Sequence, residues 1–194
     1  MYNAESFVAG IVCEIADPAS DTVDELVAET RAVCLTAADW GDPDGVLVHA
    51  EEGTLDIRIE PEAGWLLDSP RAALEAIIRH LVAHDQVSRI ITAWAELEDF
   101  DNPWQEHLTW INGALYSSVD GAPSGEPLDP DAEQVDVVTR NNVRAWLVDN
   151  GATDRDLAMF NLARQVADDE NDGLFKAADL GALLSAPAED KNRG

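Results

Sequence analysis

GDPDGVLVHAEEGTLDIRIE, residues 41–60, is the stretch that decides the fold class. In its second half Leu55, Ile57 and Ile59 alternate with Asp56, Arg58 and Glu60. That period of two places one row of side chains on a core and the other in water, as a half-buried strand requires. Val46 to Ala50 is a second apolar run, and Glu51-Glu52-Gly53 between the two supplies turn chemistry. The stretch therefore predicts a β-hairpin.

Helical periodicity flanks this hairpin on both sides. Asp21 or Thr22 can cap a helix in which Val23, Leu26, Val27, Thr30, Val33, Cys34 and Ala37 recur at steps of three and four. After the hairpin, Ser69-Pro70 opens a helix whose Leu74, Ile77, Ile78, Leu81 and Val82 form one stripe, with Pro at its favoured first turn. Val87 to Leu97 satisfies both periods. Val87, Arg89, Ile91, Ala93 and Ala95 would share a strand face, whereas Ile90, Ile91, Trp94 and Leu97 suit a helix. Two topologies fit. If Phe7 to Ile15 and Val87 to Leu97 are strands, the order is β-α-β-β-α-β, a ferredoxin-like split unit. If both are helices, the order is helix, hairpin or small sheet, then a long helix. Asn102-Pro103 then caps an expected helix aligning Trp104, Leu108, Ile111 and Leu115.

The expected class is α+β, with a small antiparallel sheet (the hairpin at about 46–60) packed with helices and followed by a helical C-terminal region. The domain reading is an α+β domain over 1–118, an acidic Pro/Gly linker over 119–134, a helical extension over 135–186 and a tail over 187–194. The linker, VDGAPSGEPLDPDAEQ, holds three Pro, two Gly and five acidic residues. Beyond it, Val135 to Val148 reads as a helix stopped by Asn150-Gly151. Thr153 and Asp156 resemble a capping box for a helix over Asp154 to Ala167, and a short helix runs from about Lys176 to Ser185.

Composition narrows the function. The 194 residues carry 39 Asp and Glu against 12 Lys and Arg, a formal net charge of -27. Gripping nucleic-acid phosphate needs clustered cations, so direct binding to nucleic acid or an anionic membrane is not expected. No stretch approaches the roughly 18 apolar residues of a membrane span. The apolar run from Phe7 to Ile15 has no Lys or Arg before it and is broken by Glu14, so a secretory signal is not expected and cytoplasm is the default. Cys13 and Cys34 lie in apolar segments and read as small buried hydrophobes.

The second of these topologies meets a known family: the stretch from Asp42 to Val82, with the Asp21–Ala38 helix before it, resembles the YbaB/EbfC family in its acidic actinobacterial form. The resemblance rests on a leading helix, the Pro43-Asp44-Gly45 turn, strands split by Gly53, the run Asp56-Ile57-Arg58-Ile59-Glu60-Pro61, and Ser69-Pro70 opening a helix. It implies a homodimer without enzymatic activity, in some members a DNA-binding one. Here the first hundred residues hold five Arg and no Lys, which departs from the DNA-binding version.

The sharpest chemical motif runs from Asp168 to Asp179. Read as a single degenerate EF-hand-like loop, it places Asp168, Glu170 and Asp172 at positions one, three and five. Gly173 falls at six, the Leu174 carbonyl at seven and Asp179 at twelve. Such hard oxygen ligands suit Ca²⁺, although Glu170 is long for its position and Asp179 reaches less far than the usual Glu. His80 and His84 stand four apart on one helix, a two-ligand spacing without the glutamate of a metalloprotease. Nucleophile elbows, P-loops and dinucleotide fingerprints are missing. The expectation is a non-enzymatic acidic protein-binding module, an adaptor or chaperone-like protein recognising a basic or apolar protein partner. It needs no cofactor beyond the candidate Ca²⁺, and Trp104 and Trp110 are its interface anchors. The alternatives are a divalent-ion-binding protein and a DNA-mimic inhibitor of a nucleic-acid-binding protein.

Overall fold

The computed structural model describes residues 5–37, 43–60, 70–99, 104–166 and 173–184. These fall into two compact units, residues 1–117 with 123–133, and residues 118–122 with 134–194. The class is α+β, as the hairpin and its flanking helices require.

The first unit runs β1 (Glu5–Ile15), α1 (Val23–Ala37), β2 (Val46–Glu51), β3 (Thr54–Ile59), α2 (Pro70–Ala83), β4 (Val87–Asp99), β5 (Trp104–Ile111) and β6 (Ala114–Ser117). Both ambiguous segments are strands, so the β-α-β-β-α-β connectivity is the one that forms. The six strands lie in the order β2-β3-β1-β4-β5-β6, each antiparallel to its neighbours. The expected hairpin closes through Glu52 and Gly53, both at positive φ, the geometry of a two-residue turn whose twist matches the strands.

One face of this sheet carries the core. Ala9, Ile11, Cys13 and Ile15 of β1, Leu55, Ile57 and Ile59 of β3, and Ala93 and Ala95 of β4 are buried beside Leu26 of α1 and Leu74, Ile77, Ile78 and Leu81 of α2. Each fully buried Leu or Ile contributes about 2 kcal/mol relative to exposure. In β4 the pairing skips Ile91 and Ser88, because register shifts fall between Val12 and Cys13 and between Glu14 and Ile15. The shifts bring Ile90 and Val87 to the core in place of Ile91, which is exposed. Arg71 of α2 ties the helix layer to β5 by donating from Nη2 to both carboxylate oxygens of buried Glu106, at 2.7 and 2.6 Å.

Two expectations are corrected here. The helix expected from Trp104 to Leu115 is the hairpin β5–β6, turned at Asn112-Gly113 with φ of 44° and 82°. Leu108 and Leu115 do face the core, but across a turn rather than along a helix. The second correction concerns the acidic Pro/Gly segment. Residues 123–133 belong to this first unit. Leu128 is buried in the core, the Ser124 amide donates to the Leu115 carbonyl, and the Leu128 amide donates to that of Gly113.

The second unit runs β7 (Val137–Thr139), α3 (Val143–Asp149), α4 (Asp154–Val166), β8 (Leu174–Lys176) and α5 (Ala177–Ala182). Val138, Val143, Leu147, Phe160 and Leu180 form its core. The helix expected over Val135 to Val148 is a short strand and then a shorter helix. The stop at Asn150-Gly151 is present, with Gly151 at φ 86°. Thr153 and Asp156 close a cap: the Thr153 amide and hydroxyl donate to Asp156 Oδ2, and the Asp156 amide donates back to Thr153 Oγ1.

Candidate functional site

The face of the six-stranded sheet opposite the helices is where side chains meet in an unusual way. Paired residues on adjacent strands point to the same side, so the registers define a row across the whole sheet: Leu47, Arg58, Gly10, Trp94, Thr109 and Tyr116. Gly10 is the gap in that row. The Nε1, Cε2 and Cζ2 atoms of Trp94 occupy the space over it, lying 2.6, 2.8 and 3.0 Å from where a Cβ would stand. A strand interior tolerates Gly poorly, and here its lack of a side chain lets an indole lie against the backbone. The indole itself is only half-buried.

Around this pair lies a groove of about 450 Å³ lined by Val8, Val12, Asp56, Arg58, Glu60 and Trp94. Val8 and Val12 flank Gly10 along β1 and supply apolar walls. Asp56 Oδ1 lies 3.6 Å from Arg58 Nε. Glu96 stands opposite Val8 on β4, with its Oε1 3.8 Å from His107 Nδ1 on β5. The groove thus joins an aromatic surface and two valines to two carboxylates and one guanidinium, with Glu96 beyond Val8 at its edge. It offers adhesion and charge, with no nucleophile beside a base.

The anchors singled out from the sequence lie elsewhere. Trp110 is half-buried and packs against the core. Trp104 opens β5, its backbone paired with Asp99. The aromatic residue of the groove is Trp94, which sequence reading left inside an ambiguous segment. The signal that could have found it is Gly10 in the middle of an otherwise apolar β1 run, since a strand glycine marks a close approach.

In the second unit, Asp168, Glu170 and Asp172 lie outside the described residues. Leu174 is buried on β8 and Asp179 is exposed on α5. Gly173 has φ 71°, and its carbonyl accepts the Arg140 amide. The loop reading numbers β8 as positions seven to nine, and β8 pairs with β7 so that Phe175, position eight, faces Val138. Among the described residues no group of three or more His, Cys, Asp and Glu is arranged to hold a metal ion.

His80 and His84 form a seam between α2 and α1. Their rings meet edge to face at 5.6 Å; His80 Nε2 lies 3.4 Å from Thr30 Oγ1, and His84 Nε2 lies 3.4 Å from Glu29 Oε2. His84 Nδ1 accepts the Gln86 amide at 3.1 Å, so its imidazole closes the end of α2. Burial lowers the His80 pKa, the neighbouring His84 lowers it further, and Glu29 opposes both. Burial also pushes the thiols of Cys13 and Cys34 up to about 12, which leaves neither as a thiolate at neutral pH. No described helix is long and apolar enough to cross a membrane.

No protein-family model matches the chain, nor does any curated protein or solved structure.

Proposed function

We propose that this protein is a non-enzymatic, acidic protein-binding module that recognises a basic protein partner on the open face of its six-stranded sheet. The observation that carries this reading is the groove at Trp94 and Gly10, where apolar surface is rimmed by carboxylates on a chain of net charge -27. Burial of the indole and the valines supplies contact energy, while the acidic field speeds encounter and selects a partner of opposite sign. A kinship with the YbaB/EbfC family over residues 21–82, with its homodimer, belongs to this proposal: α1, the β2–β3 hairpin and α2 follow one another in the order that resemblance needs, although β1 and β4 are strands where the topology that suggested it has helices.

The test is capture of partners from the native cell by wild type beside Trp94→Ala and Asp56→Asn/Glu60→Gln. A basic protein retained by wild type at low salt, released at high salt and lost from both variants supports the reading. Equal capture by all three refutes it. If DNA displaces the captured protein, the alternative reading, a DNA-mimic inhibitor of a nucleic-acid-binding protein, is supported instead.

A second reading is favoured by the β7–β8 pairing. A glycine at positive φ at position six, a short paired strand at seven to nine and a helix carrying Asp179 at twelve suit an ion-binding loop. Calorimetric Ca²⁺ titration of wild type and Asp168→Ala/Asp172→Ala, with Mg²⁺ as control, decides it. Saturable heat lost in the variant supports an ion site, and identical weak heats in both remove it.

A further inference from the structure

We infer that the groove receives an arginine side chain of the partner, its guanidinium stacked on the indole of Trp94 and its charge met by Asp56, Glu60 and Glu96. This inference rests on the basic-partner reading and names the group that the site would recognise.

Three features converge on a planar cation. First, Trp94 is held by its position over Gly10. With indole atoms spread across the space of the missing Cβ, the ring is braced against the β1 backbone and flanked by Val8 and Val12. A braced, half-exposed indole is a platform on which a flat group stacks at little cost in side-chain entropy. Second, the carboxylates lining the groove outnumber the lining cation. Asp56 and Glu60 line the groove with one guanidinium, that of Arg58, whose Nε lies 3.6 Å from Asp56, and Glu96 stands opposite Val8 at the edge, 3.8 Å from His107 Nδ1. Negative charge beside an aromatic ring favours a cation on its face. Third, the walls are aliphatic. The methylene stem of a long cationic side chain can lie along Val8 and Val12 while its head reaches the rim.

Arginine is preferred to lysine on physical grounds. Guanidinium is planar and weakly hydrated, so it stacks on an aromatic face and forks to carboxylates, whereas an ammonium is a compact, strongly hydrated point charge. The whole cation–π contact at such a ring is worth roughly two- to fivefold in affinity, which bounds the preference from above.

The experiment titrates the full chain at low salt with octa-arginine and octa-lysine peptides of equal charge. Two-dimensional amide spectra follow the indole N–H resonances, and Trp94→Phe identifies the Trp94 signal. The expected result is a several-fold preference for octa-arginine in wild type, a shifted Trp94 indole resonance, and no preference in Trp94→Leu, which loses more affinity for octa-arginine than for octa-lysine. Glu60→Gln/Glu96→Gln keeps the indole and weakens both peptides, so a folding failure of Trp94→Leu leaves the inference testable. Equal affinity for the two peptides in wild type, a Trp94 resonance that does not move, or an arginine preference that survives in Trp94→Leu overturns the arginine site and leaves the basic-partner reading in place. No binding of either peptide by wild type overturns both.

Discussion

Replacing Arg71 by Met removes the guanidinium that pairs with a carboxylate the fold has taken out of water. Glu106 has a side chain 4% exposed, and Arg71 Nη2 donates to both of its oxygens. Breaking a buried pair by deleting one member costs about 3–5 kcal/mol, since the remaining charge stays desolvated. Arg71 is itself 40% exposed, so water can enter where its head was and recover part of that loss. The expected destabilisation is therefore about 2–3 kcal/mol, below the full range. Urea unfolding followed by circular dichroism and by tryptophan fluorescence measures it; two probes are needed because the chain has two units whose transitions need not coincide. Arg71→Met/Glu106→Leu, which replaces both charges by apolar groups, should lie within about 1 kcal/mol of wild type. A single variant as stable as wild type, or a double variant weaker than the single, would show that the pair does not hold α2 to β5.

Three further outcomes follow from the same structure. Leu128→Ala should cost the first unit about 2–4 kcal/mol in urea unfolding, because the side chain is only 4% exposed in the core; a surface linker residue would cost almost nothing. His80 is held neutral by burial, so its folded pKa lies below the unfolded value of about 6.5. The unfolded chain binds the proton more readily, and the stability present above pH 6.5 falls as pH drops through the window beneath it. His80→Gln should flatten that part of the urea-midpoint profile, and an unchanged slope would assign the acid loss to other groups. Cys13 and Cys34, with thiols pushed up to about 12, should resist a thiol reagent at pH 8 in the native chain and react in urea. Rapid native labelling would place one of them outside the core.

Which parts of this fold were legible depended on whether a local signal had a competitor. The Leu55, Ile57, Ile59 alternation beside Glu52-Gly53 had none, because period and turn agree, and the hairpin formed there. The α2 stripe and the Thr153–Asp156 cap were equally local. Trp104 to Leu115 misled because its apolar residues repeat at helical steps while Asn112-Gly113, a strong two-residue turn signal, interrupts them. Val135 to Val148 misled for a related reason: Val137 and Val138 are committed to a strand by pairing with β8, more than thirty residues along the chain. Polarity misled at the linker, where a single leucine among prolines and acids reaches the core.

The sequence alone determined the class and the charge. Period, capping and turn chemistry act over a few residues, and net charge needs no geometry. Tertiary structure decided the rest. Val87 to Leu97 is amphipathic by either period, and only pairing with β1 and its register shifts selects the strand and turns Ile90 inward. The candidate site is decided there too. Gly10 and Trp94 are 84 positions apart, and nothing local to either says that one clears the space the other fills; the register of two antiparallel strands does.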